Sequence, residues 1–364
     1  LNPSPNQPYY SLVAFGSFFS PAVPLYLALS HFWVFGIQRR KNILVPLPEP
    51  TPDNRNKLAI VTGSNTGIGY ETARTLVVDY GWEIILACRS KDKALTAMAA
   101  INDESSKKSD GGKAVVLDHP LDLTDFESIE AFSKNVKEEY RGRTIDALIN
   151  NAGRNTSGKS GIFDMMFRAN FLGHFVLTQQ LLEELRGGRI VNLSSVMHHF
   201  AGTQAKNAEY WESMALYQDG ANPGVYSASK LAAIHFTNEL NRRYGKSHQI
   251  QSMAVNPGAC SSDIWRAKPK WLTQLTGKIY LTTKQGSAPS VAAAVKPDWG
   301  DATYLQPLWL PTGPDRAAFP LCEILAPYVG YSAVQPRLPP KEQSEKIADD
   351  MWTTCEKLSG YSYP

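Results

Sequence analysis

Residues 57–69 read KLAIVTGSNTGIG, and this stretch decides the fold. A short apolar run over 57–62 breaks at Thr62 into a glycine-rich turn, and a helical pattern starts near Ile68. Glycines at 63, 67 and 69 let the main chain turn sharply and let a pyrophosphate approach with no Cβ in the way. The helix behind the turn points free N–H groups and the positive end of its dipole at the phosphates. A glycine motif alone is weak, since any structural turn can hold one. Set between a strand and a helix it is informative, and the expected nucleotide contacts are Gly63, Asn65, Thr66, Gly67, Ile68 and Gly69.

Outward from this turn the chain alternates. Strand patterns over 82–87, 114–117, 145–149, 189–193 and 251–255 are separated by helical patterns near 94–101, 126–140, 167–184 and 226–244. Such alternation implies right-handed βαβ units, hence an α/β fold with a Rossmann-type, doubly wound parallel sheet. In sheets of this kind ligands sit at the carboxyl ends of the strands. Past about residue 265 the alternation weakens. Residues 341–358 read as a closing helix whose Ile347, Met351, Cys355 and Leu358 recur at helical spacing and are expected in the core.

The 364 residues suffice for one large domain and a short appendage. Formal charge is +3, from 37 Lys+Arg against 34 Asp+Glu, and no dense basic stripe carries interleaved aromatics, so no nucleic acid partner is expected. Cys88, Cys260, Cys322 and Cys355 lie far apart without CxxC or Cys/His ligand spacing. Free thiols in a reducing compartment, and no metal, follow from that.

The N-terminus differs. Residues 1–38 hold no Asp, Glu, Lys or Arg, residues 9–37 are apolar and aromatic, and Arg39, Arg40 and Lys41 follow at once. A bilayer crossing takes about 20 apolar residues, and a basic cluster on one flank stays cytosolic. Residues 1–41 are therefore expected to anchor the chain in a membrane, leaving the remainder cytosolic. Pro21 and Pro24 leave two forms open, one kinked span or two short arms in one leaflet. Residues 42–56, with four prolines, read as a linker, and 57–364 as a single domain.

Strand 82–87 ends in Ala87-Cys88-Arg89-Ser90. An acidic residue here would accept from the adenosine ribose of NAD; instead Arg89 offers a guanidinium that can pair with a 2′-phosphate. NADP(H) is expected over NAD(H). Asp122, with Leu123, is placed to meet the adenine, and Asn151, Ala152 and Gly153 form a small-residue turn beside the cofactor ribose. Farther on, Tyr226-Ser-Ala-Ser-Lys230 starts a helix. The i, i+4 spacing puts phenol and ammonium on one face. A nearby cation favours the phenolate, so the tyrosine pKa is expected below its usual value of about 10, as a general acid/base requires. Ser195, closing IVNLSS, offers a hydroxyl to a developing alkoxide.

TGSNTGIG, NNAG, IVNLSS, YSASK and Asn256-Pro257-Gly258, in this order over residues 57–265, resemble the short-chain dehydrogenase/reductase family. Ala87-Cys88-Arg89-Ser90, Asn170-Phe-Leu-Gly-His174-Phe and Val196-Met-His-His199 resemble its retinol-dehydrogenase-like members. The resemblance implies that Tyr226 exchanges a proton with the substrate oxygen. Lys230 would lower the tyrosine pKa and hold the nicotinamide ribose, while Ser195 polarises the substrate oxygen and Asn170 positions a water linking Lys230 to solvent. Gly63, Gly67 and Gly69 match the pyrophosphate turn; Pro257, Gly258 and Ser262 match the segment beside the nicotinamide. Ser194 is the alternative to Ser195, which is preferred because the family's catalytic serine comes last in this pair.

Two departures stand out. Ser195 and Tyr226 are 31 positions apart, and the insertion 198–224 carries Phe200, Tyr210, Trp211, Met214 and Tyr217, which could wall an apolar pocket or pack on the core. After residue 265 the match fades, although about 265–340 is expected to cover the substrate. The resulting expectation is a membrane-attached oxidoreductase interconverting an apolar alcohol (retinoid, steroid or lipid-like) and its carbonyl. The endoplasmic reticulum or a lipid droplet is the expected address, with another organelle membrane as the alternative. A homo-oligomer or a larger membrane complex is compatible with the sequence. The competing reading is a non-catalytic nucleotide-binding accessory subunit, which would not need Tyr226, Lys230, Ser195 and Asn170 together.

Overall fold

A computed structural model describes residues 47–202, 206–219, 222, 224–258, 260, 281–296, 298–309, 328–334, 336 and 338–364. Ten strands lie among them: β1 (Leu58–Thr62), β2 (Glu83–Ala87), β3 (Lys113–Val115), β4 (Ala147–Asn150), β5 (Lys159–Ser160), β6 (Phe163–Asp164), β7 (Arg189–Leu193), β8 (Gln251–Val255), β9 (Tyr304–Trp309) and β10 (Tyr328–Val334). The main sheet runs β10-β9-β8-β7-β4-β1-β2-β3. Its strands pair in parallel except β10, which closes the edge antiparallel to β9. This is the Rossmann-type sheet expected from the alternation. It extends farther than the sequence reading, which found neither β9 nor β10.

The described α-helices of eight residues or more are α1 (Gly67–Tyr80), α2 (Lys91–Ser105), α3 (Phe126–Glu139), α4 (Gly173–Gln180), α5 (Ala208–Ala215), α6 (Gly224–Tyr244), α7 (Thr283–Val295) and α8 (Lys341–Ser359). Helix α7 was not read from sequence because all its residues from Gly286 to Val295 are buried, small and apolar apart from Ser287 and Ser290. Without a polar face there is no amphipathic signal to detect. β1 is likewise buried along its full length, as a parallel strand covered on both faces must be.

One apolar cluster lies on each face of the sheet. The first joins Phe171, Phe175 and Phe236 to Trp352 of α8, and the expected stripe Ile347, Met351 and Cys355 is buried there, with Leu358 partly buried against it. The second packs Leu76, Val77 and Trp82 against Val291 and Val295 of α7. The described part of the proline-rich stretch also lies on the domain: the Trp82 indole donates to the Asn54 carbonyl at 2.7 Å. No described helix is long and apolar enough to cross a membrane. The anchor expected over 9–37 lies outside the described residues, as does Cys322.

Candidate active site

At the carboxyl ends of β1, β4 and β7 the chain builds two adjoining groups of side chains. The first is the turn into α1. Gly63 takes φ +64° and its N–H donates to the Ala87 carbonyl at 2.8 Å, which joins the turn to the end of β2. Gly69 sits so close to the neighbouring turn that a Cβ would collide with the Asn151 amide and lie 2.5 Å from the Gly63 carbonyl oxygen. Asn151 explains the crowding, because its Nδ2 donates to the Thr62 carbonyl at 2.7 Å. Asn65, Thr66, Gly67 and Ile68 are partly exposed at the rim, and Thr66 makes no side-chain cap to α1. That is the arrangement an anion completes, by accepting from the first-turn N–H groups.

Arg89 is exposed beyond the end of β2, while Cys88 is buried, 3.5 Å from the Ser64 hydroxyl. Asp122 spends one carboxylate oxygen on Thr124, accepting from its N–H at 2.9 Å and its hydroxyl at 2.7 Å. Leu123 beside it is buried. Gly258 accepts a left-handed φ of +77° and donates to Asn256 Oδ1 at 3.0 Å, which shapes the turn containing Pro257. Ser262, expected beside it, lies outside the described residues.

The second group surrounds α6. Lys230 is 5% exposed; its Nζ donates to the Leu193 carbonyl at 2.9 Å and stands 5.7 Å from the centroid of the Tyr226 ring. One helical turn does bring phenol and ammonium together. Ser195 hydrogen-bonds the Tyr226 side chain and accepts from the Met197 N–H at 3.3 Å. Ser194, by contrast, is 2% exposed and donates to the Lys230 carbonyl at 2.8 Å. Its hydroxyl is committed to the core.

Asn170 reaches the site through a π-helical turn, Arg168–Leu172, ahead of α4. Its Oδ1 accepts from the Arg154 N–H at 2.7 Å, and its Nδ2 donates to the Arg154 carbonyl at 3.0 Å. A Cβ on Gly153 would lie 3.4 Å from Asn170 Oδ1 and 3.8 Å from Lys230 Nζ. Asn170 and Lys230 therefore face one small space, kept open by the missing side chain. Ala152 N–H and Asn151 N–H each donate to Thr62 Oγ1 at 2.9 Å.

The electrostatics correct one expectation. Burial pushes the Tyr226 phenol up to about 12, against the lowering effect of the Ser195 hydrogen bond. The expected depression by Lys230 does not occur here, because removing the phenol from water disfavours the phenolate more than its surroundings favour it. Burial also pulls Lys230 down to about 8. In the cofactor-free protein the phenol is thus a neutral proton donor, and the ammonium is held at a desolvation cost.

Sequence reasoning missed Thr62, whose hydroxyl organises the 151–152 turn, and Arg154, whose main chain fixes the Asn170 amide. Thr62 could have been suspected from its place before Gly63; nothing in the sequence marks Arg154. Within the insertion, Tyr210, Trp211 and Met214 are buried in the core, and the Trp211 indole donates to the Ile347 carbonyl at 3.2 Å. Phe200 remains exposed.

Residues 57–207 and 211–273 match the family model described as short chain dehydrogenase. Retinol dehydrogenase 11 of Mus musculus is 38% identical over 247 residues, 66% of this chain and 73% of that protein. Retinol dehydrogenase 13 of Homo sapiens is 32% identical over 324 residues, 85% of this chain and 86% of its own length. Among solved structures, L-sorbose reductase from Gluconobacter frateurii, complexed with NADPH and L-sorbose, superimposes with a TM-score of 0.52 at 18% identity. It covers 67% of this chain and 92% of that one, a likeness of fold.

Proposed function

Because the chain belongs to the short-chain dehydrogenase family, in its retinol-dehydrogenase-like branch, we propose that it interconverts a lipophilic alcohol and its aldehyde or ketone with NADP(H). The observation that carries this reading is the convergence of Tyr226, Ser195 and Lys230, with Asn170 facing the same space as Lys230. The glycine turn at 63–69, packed so closely on the 151–152 turn that Gly69 has no room for a Cβ, fits a dinucleotide pyrophosphate. The chemistry supplied by a bound nicotinamide is hydride transfer with the substrate carbon.

The chain's own residues do the rest. The neutral Tyr226 phenol donates its proton to a carbonyl oxygen in reduction, and in oxidation its phenolate form takes the proton from the alcohol. Ser195 donates to the same oxygen and steadies the alkoxide. Lys230 has one of its three N–H donors on the Leu193 carbonyl, and the other two suit a ribose hydroxyl. Asn170, its amide fixed on Arg154, positions a water that links Lys230 to solvent. The rim residues Asn65, Thr66, Gly67 and Ile68 hold the pyrophosphate, with Asp122 and Leu123 at the adenine. Asn151, Ala152 and Gly153 lie along the ribose, and Pro257, Gly258 and Ser262 along the nicotinamide.

Arg89 supports NADP(H) over NAD(H), since an exposed guanidinium at this position pairs with a 2′-phosphate. Residues 1–41 are proposed to attach the protein to a membrane through 9–37, with 42–56 as connection, 57–364 as the catalytic domain and about 265–340 as the substrate cover. A membrane address suits a substrate that partitions into lipid. Titration of the full chain with NADPH and NADH, followed by turnover of all-trans-retinal and other lipophilic carbonyls, tests the reading. Tighter NADPH binding and lipophilic turnover are expected. Tighter NADH binding refutes the role of Arg89, and loss of no turnover in Tyr226→Phe refutes the proton donor.

A further inference from the structure

His174 is 3% exposed and lies one turn beyond Asn170, between the nucleotide turn and the proton-transfer group. Its Nδ1 is 3.3 Å from the Asn170 carbonyl oxygen, and its Nε2 is 2.9 Å from Thr62 Oγ1. A carbonyl oxygen only accepts, so Nδ1 must carry the proton. Nε2 is then a bare lone pair, and Thr62 must donate to it. That assignment leaves the two lone pairs of Thr62 Oγ1 for the N–H groups of Asn151 and Ala152, both at 2.9 Å. Every proton in the chain of contacts has an acceptor.

The opposite tautomer sets two lone pairs against each other at Asn170 and sends the Thr62 proton to Ile149, whose carbonyl is farther away at 3.4 Å. Burial drives the imidazole pKa down to about 3, which excludes the doubly protonated ring near neutrality. Gly173, next in chain, permits the close seat of α4: a Cβ there would collide with the Leu123 carbonyl oxygen. The helix therefore touches the adenine-side turn while His174 spans the remaining two.

From these contacts we propose that His174, as the neutral Nδ1–H tautomer, is a positioning residue that clamps the π-turn bearing Asn170 to Thr62 and the 151–152 turn. The clamp makes the cofactor side and the proton-transfer side one rigid unit. Its functional meaning rests on the reading of Tyr226, Lys230 and Asn170 given above. A π-turn is an irregular piece of backbone, and the Asn170 carbonyl lies within it. The imidazole supplies that carbonyl with a partner that itself leads back to the cofactor turn.

The test compares three variants. His174→Asn places an amide donor near the position of Nδ1 and keeps the Asn170 arm. His174→Gln reaches the position of Nε2 and keeps the Thr62 arm; His174→Phe keeps neither. With NADPH and all-trans-retinal, kcat is expected to fall at least about tenfold in His174→Phe, because small misplacements of reacting groups cost that much or more. His174→Asn should recover more kcat than His174→Gln, although their thermal midpoints are similar. Equal kcat in the two, or losses that simply follow the midpoints, overturns the clamp, and this comparison stands even where His174→Phe fails to fold. In the unmutated protein, nitrogen NMR of the labelled imidazole should show the Nδ1–H tautomer at neutral pH without cofactor; an Nε2–H or imidazolium signal overturns it independently. Turnover that survives Tyr226→Phe would sink the active-site reading itself. Turnover lost there but unchanged in His174→Phe sinks the clamp alone.

Discussion

The turn between β1 and α1 and the first turns of α6 share the carboxyl edge of the sheet, yet they are held in opposite ways. In the turn, polar groups are consumed by the protein: Gly63 N–H by Ala87, the Ser64 hydroxyl by Val61 at 2.8 Å, the Asn151 amide by Thr62. At α6 the ammonium of Lys230 is kept from water and the phenol of Tyr226 is half-buried, and their pKa values move in the directions that record the desolvation cost. The contrast teaches that the two regions should fail differently. Substitutions in the turn should damage folding, whereas substitutions at α6 should damage chemistry and spare or even improve stability.

Tyr226→Phe is the sharpest attempt to break this contrast. Turnover should fall by about 10²–10⁴-fold, the usual contribution of a positioned proton donor, with the thermal midpoint unchanged or higher. Steady-state kinetics and a thermal melt decide it; a lower midpoint would show that the phenol stabilises the fold.

Lys230→Met follows. The ammonium pKa drops from about 10.4 in the unfolded chain to about 8 in the fold. Between those values the unfolded chain binds more protons, so stability rises with pH across the window, and below it the penalty is complete. The cofactor-free variant should therefore gain stability on the order of 3 kcal/mol near neutral pH, shrinking toward zero by about pH 10.4. Urea unfolding at neutral and alkaline pH measures the difference, and a variant less stable than the parent at neutral pH contradicts the sign. Its turnover should drop sharply.

Gly69→Ala probes the other region. The new Cβ meets main chain and the half-buried Asn151 amide, so a loss of about 1–3 kcal/mol is expected, with weaker NADPH binding as a consequence. Unchanged stability would mean the turn is looser than its contacts indicate. The smallest effect belongs to Arg89→Ala at the exposed rim. NADPH affinity should fall about five- to tenfold while NADH affinity stays constant, as an exposed charge pair contributes roughly 1 kcal/mol.

Much of this was legible in the sequence, for reasons that differ by element. β1, the glycine turn and α1 are specified by neighbours in the chain, and so is the pairing of Tyr226 with Lys230, since four residues of helix make one turn. Helix α7 was not legible, because a helix buried on all sides carries no polar face to set against an apolar one, and strands β9 and β10 were not read from the sequence either. Within the candidate site, the roles of neighbouring hydroxyls depend on burial: Ser194 faces the Lys230 carbonyl and Ser195 the phenol, a distinction that adjacency in sequence does not carry.

By itself, then, the sequence determined the class of fold and pointed to the glycine turn and the side chains proposed to react, all of which rest on short-range geometry. Tertiary structure alone decided that the Tyr226 phenol rises rather than falls, that Asn170 sits on a π-turn, and that His174 and Thr62 join the two halves of the site. Desolvation sums over every atom packed around a group, and hydrogen bonds such as Thr62 to His174 span 112 positions. Neither quantity exists until the chain has closed on itself.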